Sequence, residues 1–154
     1  TVKVSIKAID GYWIQNKSVT LEEDSTVSDA LLKAIKNTGI TQEGAEDGYI
    51  EYMEYNGEEL GEFTHGDNSG WMYKVNGDSP VVGVTDYELS DGDRILFYFT
   101  EDYTKEFMDD EDEKDENLSQ VFLDYAESTK TQQKEFANLI KSDLFKPIVL
   151  ILLI

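Results

Sequence analysis

The chain of 154 residues contains no cysteine. Disulfides, thiolate metal sites, thiol nucleophiles and sulfur redox chemistry are therefore excluded, although an exported and a cytosolic protein could both lack them. Histidine occurs once, as His65, which together with the missing cysteine removes the usual closed zinc ligand sets. Positive charge is scarce: 13 Lys+Arg stand against 33 Asp+Glu, for a formal net charge of -20. A surface of that sign repels the phosphate backbone of DNA or RNA and anionic membrane faces, so nucleic acid is a poor candidate partner. Cationic partners, divalent metals and neutral or amphipathic small molecules stay open. The acidity is not a property of one end, because residues 1–108 hold 22 acidic and 8 basic residues. The apolar run after Pro147 is seven residues long, against about 20 for a membrane-spanning helix, so no span is expected within this sequence. Nor does the chain begin with a basic and then apolar leader, so any signal peptide lies outside this sequence.

Phosphate chemistry lacks its signatures too. There is no glycine-rich turn ending in Gly-Lys-Ser/Thr, and no Gly-x-Gly-x-x-Gly between a strand and a helix. The acidic stretches "DGDR" and "DDEDEKDEN" lack the alternating ligands, central glycine and terminal glutamate of an EF-hand loop. They support weak, charge-driven calcium binding at most, and no metal ligand is assigned. His65 has Asp67 and Ser69 close by in "FTHGDNSG". Three residues spaced by two along one loop cannot easily converge as a nucleophile, base and orienting acid must. Turn chemistry explains them better. Carboxylates are so numerous that no catalytic pair stands out, and no catalytic residue is assigned; the chain is expected not to be an enzyme.

What is present reads as one domain with an extension. "TVKVSIKAI" alternates, with Val2, Val4, Ile6 and Ala8 on one face, as a half-buried strand does. Lys17 to Leu21 offers a second short strand. In "STVSDALLKAIKNTGI" the apolar residues Val27, Ala30, Leu31, Ala34 and Ile35 form one helical stripe. Thr26 and Asp29 suit a capping box and Gly39 a left-handed stop. Asn56-Gly57 and Asn76-Gly77 are tight-turn dipeptides, the first centring a hairpin in Gly48–Phe63. The second follows a strand Trp71–Val75 and precedes a segment through Val81-Val82, a turn at Asp91-Gly92 and a strand Arg94–Thr100. Hairpin, helix, then further strands is the order of an α+β, β-grasp-like fold: a mixed sheet with one packed helix, over residues 1–108. Residues 109–117 read as an acidic linker. Residues 118–154 read as a helical extension with a polar middle and an apolar end. That end suits a buried strand, part of a membrane segment, or the start of a following domain.

Trp71, Tyr73, Val75, Ile95, Phe97 and Phe99 alternate as core-facing positions. Met72, Tyr98, Tyr12 and Trp13 fall on the opposite face or in a loop, where an apolar patch could meet a flat ligand or partner. Candidate ligand-binding residues are Tyr12, Trp13 and Met72 there, and on the rim His65 and Asn68 in the loop before Gly70 and Val81, Val82 and Tyr87 in the connection beyond.

Three pieces, "STVSDALLKAI", "YIEYMEYNGEELGEF" and "NSGWMYKVNGDSPVVGVTDYELSDGDRILFYFTED", resemble the C-terminal domain family of transcobalamin and intrinsic factor, over about residues 1–105. That family recurs in exported bacterial surface proteins, so the resemblance implies an extracellular, cell-surface location. It also implies a non-enzymatic module for interaction, adhesion or spacing, with a protein or small-molecule ligand and no required cofactor. As the alternative, it implies binding of cobalamin or a related corrinoid together with a second domain. In that case the hairpin Gly70 to Asp91 would supply contacts; no cobalt ligand is implied.

Overall fold

The structure, a computed structural model, describes residues 1–106 and 127–135. In β1 (Val2–Lys7) the alternation turns Val2, Val4 and Ile6 into the core and Lys3, Ser5 and Lys7 away from it. The antiparallel β2 (Tyr12–Val19) begins five residues before the expected Lys17. It is an edge strand with an irregular register beside Ile6, and its polar Gln15 and Asn16 hide the alternation that sequence reading relies on.

Helix α1 (Val27–Ile35) starts as expected. The Asp29 N–H donates to Thr26 Oγ1 at 3.4 Å, and the Thr26 N–H donates to the Asp29 carboxylate at 2.8 Å. The capping box is complete, and Val27, Ala30, Leu31 and Ala34 are buried. Asn37 and Gly39, both at positive φ, turn the chain after the last helical residue.

A three-stranded antiparallel sheet follows: β3 (Thr41–Glu43), β4 (Tyr52–Tyr55) and β5 (Glu58–Gly61). Asn56 and Gly57 take φ of 52° and 83° between β4 and β5, the paired positive values of a type I′ turn. The three residues of β3 are too few to show an alternation.

The last strands are β6 (Gly70–Val75) and β7 (Arg94–Thr100), antiparallel from Gly70↔Thr100 to Val75↔Ile95. Because β7 also runs parallel to β1, the large sheet is mixed, in the order β2-β1-β7-β6. One helix packs on a mixed sheet, as the sequence order implies. Val4, Ile6, Leu31, Ile95 and Phe97 are almost fully enclosed between them, and Trp71, Tyr73, Val75 and Phe99 extend the same core.

The connection from 76 to 93 is irregular and opens with the expected Asn76-Gly77 turn. Val81 and Val82, the segment expected here, form no strand and are exposed on the rim, as a connection would be. The connection is tied instead to the start of α1. The otherwise unpaired Val27 and Ser28 N–H groups donate to the carbonyls of Tyr87 (3.1 Å) and Val84 (2.8 Å).

Residues 127–135 are helical. They belong to the polar middle of the expected extension, whereas the acidic run, the apolar residues flanking that middle and the terminal apolar run lie outside the described residues.

Candidate functional site

Strand β6 has β7 on one side and, among the described residues, no strand hydrogen-bonded on the other. In a sheet, alternate residues direct both backbone polar groups to the same side. Val75 exchanges two hydrogen bonds with Asp78 away from β7, so Trp71, of the same parity, also directs its carbonyl outward. An outward carbonyl on an edge needs a donor. Lys130, on the helical segment 127–135, supplies it: Nζ donates to the Trp71 carbonyl at 3.2 Å.

Lys130 is only 5% exposed. Its Nζ stands 4.7 Å from the centre of the Tyr49 ring and 5.7 Å from that of Tyr103. A side chain on Gly70 would place its Cβ 2.9 Å from this nitrogen. Gly70 is not among the positive-φ glycines, so clearance for the lysine, rather than backbone conformation, accounts for it.

Gln133 and Lys134 lie three and four residues further along the helix, hence on the same face. The Gln133 amide donates to the carbonyls of Pro80 and Val82, each at 3.3 Å. Lys134 pairs with both oxygens of the Glu62 carboxylate, at 2.8 and 3.0 Å, and stands 5.2 Å over the Phe63 ring. The segment thus bridges the loop before Gly70 and the connection after β6.

Burial pulls the Lys130 amine down to about 8, with the charge of Lys134 acting in the same sense and that of Glu62 against it. At neutral pH the ammonium is still the main form, and either form can donate to Trp71. Tyr49 is pushed up, first by burial and then by the Glu62 carboxylate. The Glu62 carboxylate thus lies near both the Tyr49 hydroxyl and the Lys134 ammonium.

Of the residues singled out from the sequence, four border this groove. The Asn68 carbonyl accepts the Tyr103 N–H at 3.0 Å and so fixes the residue whose ring faces Lys130. Val81 and Val82 are exposed on the opposite rim, and the Val82 carbonyl also accepts the Tyr73 hydroxyl at 2.7 Å. His65 is exposed, its Nδ1 3.0 Å from Thr64 Oγ1 and its ring edge-on to Phe99. The Ser69 hydroxyl donates to the Gly66 carbonyl and accepts the His65 backbone N–H, both at 3.0 Å, which is turn chemistry.

The other four lie elsewhere. Tyr12 is 47% exposed and lies against the outer face of the mixed sheet. Trp13 packs at 5.6 Å from Trp71 and 5.8 Å from Tyr55, and Tyr87 packs partly buried against the core. Met72 is only 4% exposed, and Tyr98 is buried as well. The open apolar patch expected around Met72 and Tyr98 is therefore absent. The Lys74 ammonium sits 5.3 Å from the Tyr98 ring centre, and Glu106 and Ser79 lie close enough to perturb its hydroxyl, which burial chiefly raises.

Sequence reasoning missed Tyr49, Glu62, Gly70, Tyr103, Lys130, Gln133 and Lys134. The i, i+3, i+4 spacing of the last three was visible. Polar residues at that spacing ordinarily mark a solvated helix face, so the pattern pointed away from burial. Among the described residues, no three or more His, Asp or Glu side chains gather where a metal ion could be held.

A family model described as a domain of unknown function, DUF4430, matches residues 24–101. The match takes in α1, both loops of the groove, β6 and β7, and leaves out β1, β2 and the helical segment. No protein of curated function matches the chain. Among solved structures, a Ruminococcus gnavus protein provisionally described as metal binding is similar, at 18% identity with a TM-score of 0.42. The alignment covers 66% of this chain and 97% of that one.

Proposed function

The chain belongs to the DUF4430 family of domains of unknown function, and from that premise we propose that it is a non-enzymatic interaction module of an exported bacterial surface protein. Its groove between the 62–69 loop and the 80–87 connection takes a polypeptide helix that presents a lysine. One observation carries this reading: the chain's own segment 127–135 is seated there. It places Lys130 on the Trp71 carbonyl and Gln133 on the Pro80 and Val82 carbonyls. Backbone carbonyls are acceptors that any helix with suitably spaced donors could use. Kinship with the transcobalamin C-terminal domain and location at the cell surface are part of the same proposal. They rest on the sequence resemblance, not on this contact.

The experiment uses the full chain carrying Lys130→Ala and Lys134→Ala, which weaken the seated segment, and a fluorescent peptide of residues 118–142. Saturable binding of the peptide, lost when its Lys130 is replaced by norleucine, is the expected result. Binding that ignores this replacement would leave a helix groove with no lysine preference. Absence of binding at high micromolar protein would overturn the polypeptide reading. The same protein titrated with cobinamide tests the corrinoid alternative, since a ligand that prefers the folded state must raise the unfolding temperature.

A further inference from the structure

Acidic residues are abundant in this chain, yet the four strands of the mixed sheet contain none. β1, β2, β6 and β7 hold Lys3, Lys7, Lys17, Lys74 and Arg94 and no Asp or Glu. That is five of the 8 basic residues in 1–108, where 22 residues are acidic. Lys17 turns aside to donate to the Ala34 carbonyl at the end of α1. The other four lie on the outer face, opposite the core. Lys3 and Arg94 are register partners on β1 and β7, and Lys74 is the partner of Leu96, two residues beyond Arg94.

Lys3, Lys74 and Arg94 border a depression of about 380 Å³. Its apolar side is made by Leu96 and the half-exposed Tyr12 ring, and Asn16 and Asn76 stand at its edge. None of the four cations on this face is in an ion pair among the described residues. Lys3 donates to Ser18 Oγ at 2.6 Å, and Lys74 lies over Tyr98. No carboxylate lines the depression among the described residues, and the neighbouring Asp93 is committed to the Asn76 amide (2.8 Å) and the Ser90 N–H (2.7 Å).

We infer that this face is a binding site for a compact organic anion, a phosphate ester or a polycarboxylate, with an apolar or planar part that lies on Tyr12 and Leu96. The net charge does not oppose this. Screening confines exposed charges to about 8 Å at physiological ionic strength, so a small anion senses the local cations, whereas a long polyanion meets the whole acidic surface. An arginine and two lysines bordering one depression provide both a planar fork and mobile point charges. The site is separate from the groove that holds Lys130 and does not depend on its reading.

The test titrates the full chain, at constant ionic strength set with sodium chloride, with pyrophosphate and in parallel with citrate, following backbone amide shifts. Saturable shifts centred on Lys3, Tyr12, Lys74 and Arg94 are expected for at least one probe. Response to pyrophosphate alone assigns a phosphate-bearing ligand, and response to citrate alone a carboxylate-bearing one. Removing two charge-assisted contacts by Lys74→Ala with Arg94→Gln should weaken binding by about tenfold or more. The pair Lys33→Ala and Lys36→Ala, exposed at the end of α1 and just after it, removes the same charge elsewhere and should leave the affinity within about twofold. No saturable shift with either probe, or an equal loss in both double variants, would overturn the assignment.

Discussion

Raising the pH is expected to stabilise this protein against unfolding between about pH 8 and pH 10, through Lys130. Its amine is lowered to about 8 in the folded state from the ordinary value of 10.5, chiefly by burial. The unfolded chain therefore binds more protons than the folded one in this window. Stability rises with pH wherever that holds. Integrating from pH 7 to pH 10 with these two values gives roughly 2 to 3 kcal/mol, an upper figure because the ring contacts of Tyr49 and Tyr103 favour the ammonium. Above pH 10 the sign reverses. Tyr49, Tyr73 and Tyr98 are all raised by burial, so the unfolded tyrosines lose protons first and stability falls. The assay is urea unfolding followed by the fluorescence of Trp13 and Trp71 at pH 7, 8, 9 and 10, for the wild type and for Lys130→Met. Methionine is shorter by the one titrating atom and removes the titration. Repulsion among the many carboxylates is common to both proteins and cancels in the difference. The wild type should gain on the variant steadily from pH 8 to pH 10. A difference that is flat or falls with pH would refute the burial of Lys130, and with it the seating of the segment on β6.

Three further perturbations test particular contacts. Gly70→Ala puts a Cβ where the Lys130 nitrogen lies, so Lys130 should change from the slowest lysine to acetylate at pH 8 to one as fast as Lys33, read by mass spectrometry. Unchanged protection would show that the glycine serves another purpose. Thr26→Ala removes the hydroxyl half of the capping box and should cost about 1 kcal/mol by urea unfolding. Phe97→Ala opens a cavity under α1 at a fully buried position and should cost about 3–5 kcal/mol; a loss under 1 kcal/mol would contradict its central place in the core.

The elements whose signals are local were legible before any folding was considered. Alternation set the inward faces of β1, β6 and β7, Thr26 and Asp29 set the start of α1, and Asn56-Gly57 set a turn, because each depends on residues within a few positions of one another. Edge strand β2 and the short β3 were harder to place, since a polar or three-residue strand has almost no pattern to read. Half of the expected site residues border the groove, and those are loop residues, chosen because loops cannot enter the core. Alternation gives the face on which Met72 lies but not what covers it, and Met72 is buried.

What covers each face follows from packing between distant parts of the chain. That packing brings Lys130 across 59 positions of sequence to the Trp71 carbonyl and explains Gly70 by the nitrogen beside it. It also gathers Lys3, Lys74 and Arg94 from three strands onto one face of a protein whose overall charge suggests no such place. Net charge is a sum over residues and carries no positions. A binding face is a difference between neighbouring surfaces, and that difference exists only once the strands are side by side.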